Sequence, residues 1–178
     1  MVANSVRFTT CTFERHGAAI LEIFNHAIET STALYEYQPR TLETIEAWFA
    51  TKTAGGFPVI GVVNDSDTLL GFASYGPFRP QPAYKYTVEH SVYVHPDQRG
   101  NGYGRMLLQW IIQEAEAHGM HTLVGAIDAQ NLVSLQLHES LGFVKVGSLP
   151  QVGFKFGRWL DLTLVQLTLA MPSHPIDG

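Results

Sequence analysis

Apolar positions recur along this chain with two periods, and the switches between them mark out its elements. Val6–Thr12 reads as a first strand. From Gly17 to Thr30, Ile20, Ile23, Phe24, Ala27 and Ile28 return at helical spacing and predict an amphipathic helix. Thr41 offers an N-cap hydroxyl ahead of Ile45, Trp48 and Phe49, a second helix that Gly55-Gly56 ends. Pro58–Val63 and Leu69–Tyr75 flank the polar turn Asn64-Asp65-Ser66-Asp67 and predict a β-hairpin. Gly76–Tyr84, with its prolines and Arg79, is a loop. Tyr86–Val94 then alternates strictly: Tyr86, Val88, His90, Val92 and Val94 share one face, and Thr87, Glu89, Ser91 and Tyr93 the other.

After Gly104, Leu108, Ile111 and Ala115 form the buried stripe of a helix whose Gln109, Gln113 and Glu116 face water, with Gly119 at its C-terminal end. Thr122–Ile127 is a short apolar strand, Leu132–Leu141 a helix broken by Gly142, and Phe143–Val146 and Phe156–Leu169 are closing strands. In the last of these the apolar phase shifts from 160/162/164 to 165/167/169, which predicts a bulge or a change of buried face. The tail from Met171 to Gly178 is expected to be loose. The order of elements makes an α/β protein with a mixed sheet. No repeat or linker divides it, so a single domain over 6–170 is expected, with 171–178 as the tail.

Composition narrows the function classes. Hydrophobic residues at 46% against 15% charged describe a globular chain. A net charge of −5 without any basic run argues against a nucleic-acid partner. Cys11 is the only cysteine, which excludes an intrachain disulfide and cysteine-based metal sites. The histidines are scattered, with no helical pair at ligand spacing, so no metal site is expected. No apolar run approaches membrane-spanning length, and the start lacks a cationic-then-apolar leader. A cytoplasmic, non-membrane protein is the simplest expectation.

The densest chemistry lies where the strand ending at His95-Pro96 meets the next helix. Arg99-Gly100-Asn101-Gly102-Tyr103-Gly104-Arg105 places glycines at alternate positions just before a helix start. There, unpaired N–H groups and the positive end of the helix dipole favour an anion. A nucleoside-triphosphate loop would need Lys and then Ser or Thr after the last glycine, where Arg105-Met106 stands. A dinucleotide fingerprint would need glycine at 105 or 107, where Arg105 and Leu107 stand. What remains resembles the Arg/Gln-x-x-Gly-x-Gly/Ala pyrophosphate loop of the GNAT acyl-CoA N-acyltransferases. A second signature, Asn131–Phe143, follows at the place that family requires. Glu29-Thr30-Ser31, Thr87–Pro96, Pro150–Gly153 and Gly157–Leu162 resemble its phosphinothricin N-acetyltransferase branch, whose bacterial members most similar to this sequence act on methionine sulfone and methionine sulfoximine.

The resemblance spans about residues 6–169 and implies a mixed, mostly antiparallel sheet flanked by helices and splayed between its two central strands. It implies acetyl-CoA as co-substrate, a small amino-acid-like amine as acceptor, and a homodimer. The backbone amides of Val92, Tyr93 and Val94 would hold the pantetheine and polarise the thioester carbonyl. Arg99, Gly100, Asn101, Gly102, Tyr103, Gly104 and Arg105 would hold the phosphates, with Asn131 and Ser134 touching the pantetheine arm. Asn131 is equally readable as an ordinary N-cap. Glu89, mid-strand among apolar neighbours, is the candidate general base; a structural ion pair is the competing role. His138 stands where many relatives carry a tyrosine that protonates the leaving thiolate, and a plain hydrogen-bonding role is open to it as well. Arg79, Tyr84 and Tyr86 are candidates for the acceptor site, Arg79 as partner of a carboxylate. No nucleophile is offered near the loop, so direct transfer within a ternary complex is expected. The alternatives are the same chemistry on another amine, such as an antibiotic or a peptide N-terminus, and a non-catalytic acyl-CoA sensor.

Overall fold

Residues 5–177 are described by the computed structural model. They form β1 (Val6–Thr10), α1 (Phe13–Thr30), α2 (Leu42–Ala54), β2 (Val59–Asn64), β3 (Leu69–Pro77) and β4 (Thr87–Val94). The second half supplies α3 (Tyr103–Ala117), β5 (Thr122–Asp128), α4 (Leu132–Glu139), β6 (Val144–Lys155) and β7 (Arg158–Thr168). The strands make one seven-stranded sheet in the order β1-β2-β3-β4-β5-β7-β6. Every neighbouring pair is antiparallel except β4 and β5.

Helix α1 begins at Phe13, capped by Thr12, well ahead of Gly17. The Thr12 hydroxyl accepts from the Arg15 amide, and Gly17 sits in the helix interior because the Phe13 ring lies over it. A Cβ at Gly17 would come within 2.7 Å of that ring, so the glycine serves packing and does not break the helix. Thr41 caps α2 through a capping box with Thr44, worth about 1 kcal/mol for such a cap.

Two cores lie on opposite faces of the sheet. On one face α3 buries Leu107, Leu108, Ile111 and Ala115 against Val88, Leu123, Ile127 and Val165, with Leu135 and Leu137 of α4 packed against them. On the other, α1 and α2 bury Ile20, Ile23, Phe24, Ile45 and Phe49 against Val59, Val63 and Phe72. The alternation of β4 therefore sends Val88, His90, Val92 and Val94 toward α3, and Glu89, Ser91 and Tyr93 toward α1.

The closing strands differ from the sequence reading. Residues 147–155 belong to β6, although Gly147, Pro150 and Gly153 punctuate them as a loop would be punctuated. The irregularities lie on β6, between Lys145 and Gly147 and between Leu149 and Gly153, while β7 keeps unbroken register with β5 from Leu162 to Thr168. Gln151, at φ 53, donates its bulged amide to the Asp161 carboxylate at 2.8 Å. The apolar phase change along β7 reflects burial on both faces: Leu160 is buried on one, Thr163 and Val165 on the other. Phe156 and Gly157, with φ of 51 and 73, form the tight turn into β7, the pair of positive angles that matches strand twist. After β7, the chain returns to the starts of β4 and β5, in the middle of the sheet. Its Met171 carbonyl lies 2.8 Å from His121 Nδ1, and the Ile176 amide donates to the Tyr86 hydroxyl at 3.2 Å. Gly178 lies outside the described residues.

Candidate active site

The parallel pairing of β4 with β5 stops early. Thr87, Val88 and Glu89 match Thr122, Leu123 and Val124, and beyond them the strands diverge. Phe78 donates to the Thr87 carbonyl and His95 to that of Leu70, so residues 87 and 95 turn their peptide groups toward β3. By the two-residue alternation Glu89, Ser91 and Tyr93 do likewise, leaving the peptide groups of Val92 and Val94 facing the gap. Tyr93 is thus corrected: its amide belongs to the β3 ladder opposite Phe72, its ring packs on Phe24 and Phe72, and the residue lines the gap without offering it an N–H.

A cavity of about 700 Å³ occupies the gap and passes through the sheet. On the α3/α4 side it is lined by Arg99, Gly100, Gly102, Tyr103, Gly104, Arg105, Asn131, Ser134 and His138. On the α1 side it reaches Glu89, Ser91, Tyr93 and the 32–35 segment. Sequence reasoning assembled most of the first wall. It missed Ser91, Asp128 and the 32–35 segment, whose only signal was the polar-aromatic run Thr32-Ala33-Leu34-Tyr35 between two helices.

The glycine loop has the geometry of an anion cradle. Gly100 and Gly102 take φ of 81 and 82, and a Cβ on either would meet no protein atom within 4 Å. The first helical bond of α3 runs from the Met106 amide to the Gly102 carbonyl. Among the described residues, the amides of 100–105 have no partner within the protein. Consecutive free N–H groups at a helix start, opening onto a cavity, suit a pyrophosphate. Arg99 is exposed, as is Arg105, which donates to the Ser140 hydroxyl at 2.8 Å. The Asn101 side-chain Nδ2 donates to the Gln98 carbonyl at 3.1 Å, and the residue is off the cavity wall.

Asn131 is an N-cap, its Oδ1 accepting from the Ser134 amide at 3.2 Å, yet it also lines the cavity. His138 is buried and its Nδ1 lies 2.7 Å from the Ser134 carbonyl, which can only accept. Nδ1 therefore carries the proton and Nε2 of the neutral ring is an acceptor, taken by His90 Nε2 at 2.9 Å. Burial lowers the pKa of His138, and burial followed by His138 itself pushes His90 far below the ordinary histidine range. A proton for a departing thiolate would require the imidazolium that this burial opposes. The geometry fits His138 as a hydrogen-bonding wall better than as an acid.

Glu89 is half-buried on the α1 side and its carboxyl pKa is raised by burial, with Arg79 opposing the shift. That is the direction a proton acceptor near neutral pH requires. Arg79 itself is exposed, off the cavity wall, with its guanidinium 4.4 Å from the Phe78 ring centre. Tyr84, also exposed, packs edge-on to Phe78, and Tyr86 spends its hydroxyl on the chain near Ile176. None of the three acceptor candidates belongs to the cavity lining, and of them Arg79 is near enough to act on the Glu89 charge. Trp159 and Asp161 lie in the closing hairpin, where Trp159 packs on Phe154. Cys11 is buried with its thiol pushed up to about 12, mainly by desolvation, and lies outside the cavity lining. Among the described residues no cluster of three or more His, Cys, Asp or Glu could hold a metal ion, and no helix is long and apolar enough to cross a membrane.

Comparison with known proteins agrees with this architecture. The model of the acetyltransferase (GNAT) family matches residues 20–143. An L-amino acid N-acyltransferase, MnaT, of Escherichia coli is 48% identical over 158 residues, 89% of this chain and 91% of that protein. An L-methionine sulfoximine/L-methionine sulfone acetyltransferase of Pseudomonas aeruginosa is 48% identical over 150 residues, 84% and 87% of the two chains. A Salmonella typhimurium structure described as an acetyltransferase with its cofactor acetyl-CoA superposes with a TM-score of 0.92 at 40% identity, covering 97% of this chain and 98% of that one.

Proposed function

This chain belongs to the acetyltransferase (GNAT) family, and on that premise we propose that it transfers an acetyl group from acetyl-CoA to the α-amine of a small amino acid with an oxygen-rich side-chain head. Methionine sulfone, methionine sulfoximine and phosphinothricin are the candidate acceptors. One observation carries the reading: a single cavity joins the free amides of the 100–105 loop to Glu89 on the opposite face of the sheet. The diphosphate of the co-substrate lies on the loop, its pantetheine arm runs past Val92 and Val94, and the acceptor enters from the α1 side.

Glu89 removes the proton from the acceptor ammonium, directly or through a water. The freed nitrogen attacks the thioester carbonyl, whose oxygen draws on the peptide N–H groups of the splayed strand. As the carbon–sulfur bond breaks, the nitrogen loses its second proton, which reaches the departing thiolate through water, in keeping with the tautomers of His90 and His138; Glu89 then returns the first proton to solvent. No acetyl-enzyme is needed. Arg79 supplies positive charge near Glu89 for the acceptor carboxylate. Sulfone should give a kcat/KM well above that of methionine, because donors built for oxygens are left unpaired against a thioether. An acceptor screen following CoA thiol release tests this. Equal kcat/KM for methionine and its sulfone would overturn the acceptor class. Absence of thiol release with every amine would leave an acyl-CoA sensor.

We also propose a cytoplasmic homodimer built from one domain over 6–170. Val152, Phe154, Phe156 and Trp159 lie exposed together on the β6–β7 hairpin, Trp159 at 60% and Phe156 at 57%. Exposed apolar groups at such density mark a contact surface. Light scattering should report two chains for the native protein and a shift toward one for Trp159→Asp; an unchanged mass would place any dimer elsewhere.

A further inference from the structure

Helix α1 has no basic residue in its last turn, although the final carbonyls of a helix lack partners within it and favour positive charge. The charge comes from the other end of the chain. Lys155, the last residue of β6, is buried, and its ammonium donates to the carbonyls of Ile28 at 2.6 Å, Ser31 at 2.9 Å and Leu34 at 2.6 Å. An ammonium has three N–H donors and no acceptor, so this set is complete. Burying such a group is costly and tolerated only when its donors are satisfied, which they are here by one short stretch of backbone.

That stretch is held from other directions too. The Tyr37 hydroxyl donates to the Phe154 carbonyl at 2.6 Å. The Tyr35 ring lies so close to Gly153 that a Cβ there would come within 2.5 Å of it. On the helix side, Asn25 donates to the Arg40 carbonyl at 3.0 Å and accepts from its amide at 2.7 Å. Between these anchors Thr32, Ala33, Leu34 and Tyr35 form a cavity wall beside Glu89 and Ser91.

We propose that Lys155 is a positioning residue for the acceptor: by gathering the carbonyls of Ile28, Ser31 and Leu34 it sets the 32–35 wall against which the amine is seated. The inference rests on the N-acetyltransferase reading above. Lys155→Met keeps the apolar stem and removes the three donors. The KM for methionine sulfone should rise about fivefold, while the KM for acetyl-CoA and the saturated kcat stay within about twofold. Amide hydrogen exchange at 31–37 should speed up about tenfold without change in β2 and β3, and Lys155→Arg, which keeps donors, should restore part of the protection.

Should the Met variant fail to fold, Lys155→Arg decides the matter, since a guanidinium cannot aim three donors from one nitrogen at these carbonyls and a smaller rise in acceptor KM is expected. Gly153→Ala, whose Cβ displaces Tyr35 with the ammonium in place, tests separately whether the wall seats the acceptor. In a folded variant, unchanged acceptor KM with unchanged exchange would overturn the proposal, as would an acetyl-CoA KM rising in step with that of the acceptor. If the native protein acetylates no amine, the functional reading falls, and the exchange measurement still shows whether Lys155 holds the wall.

Discussion

Calorimetric titration of a Gly102→Val variant with CoA is expected to show an apparent dissociation constant raised at least about tenfold, roughly 1.4 kcal/mol. Two effects act together. Gly102 has φ of 82, which a β-branched residue adopts only under strain, so the neighbouring amides shift. Its side-chain position is also empty of protein within 4 Å, so a valine there projects into the space above the loop. The first effect has a control within the same chain. Gly157 has φ of 73 and equally open surroundings, in the β6–β7 turn far from the loop in the sheet. Gly157→Val carries comparable strain and should leave CoA binding unaltered. Arg99→Ala should cost less than Gly102→Val, because an exposed guanidinium contributes modestly through solvent. Unchanged CoA binding in a folded Gly102→Val protein would remove the loop from the binding site.

The loop was readable in advance because its signal is local. Glycines at alternate positions between a strand and a helix report backbone geometry within a few residues, and the observed positive angles at Gly100 and Gly102 are that geometry. The two-residue alternation along β4 was readable for the same reason, and it divided Tyr93 from Val92 as the two cores do. What could not be read depends on contacts between distant segments. Nothing in the sequence near Lys155 says that its ammonium ends α1, because its partners lie more than a hundred positions away. Likewise the glycine and proline punctuation of 147–153 is that of a loop, and only pairing with β7 makes it a strand. The role of Tyr93 was misplaced by one residue of alternation: which N–H groups face the gap follows from which neighbour β4 pairs with, a fact of the sheet. His138 was legible as a cavity residue, but its proton is assigned by the Ser134 carbonyl and His90, a constraint that needs three dimensions.

Replacing Glu89 by Gln is expected to lower turnover about 10²-fold or more while CoA binding persists, the range for loss of a general base. Gln keeps the shape and the strand position, and the peptide groups of Val92 and Val94 are untouched. The pH profile distinguishes a base from a structural carboxylate. Burial raises the Glu89 pKa, with Arg79 opposing, so the protonated and inactive form survives to higher pH than for a free glutamate. The native kcat/KM should therefore fall on the acid side with a midpoint above the ordinary glutamate value, and rise as pH carries Glu89 into its carboxylate form. In Glu89→Gln that limb disappears. The remaining activity should climb with pH as the acceptor amine itself becomes unprotonated, since hydroxide and bulk water then do what the carboxylate did. Removing the opposing charge with Arg79→Ala should move the native acid limb to higher pH, a shift that a purely structural Glu89 would not produce. Near-normal turnover of Glu89→Gln at neutral pH would show that the proton leaves by another route.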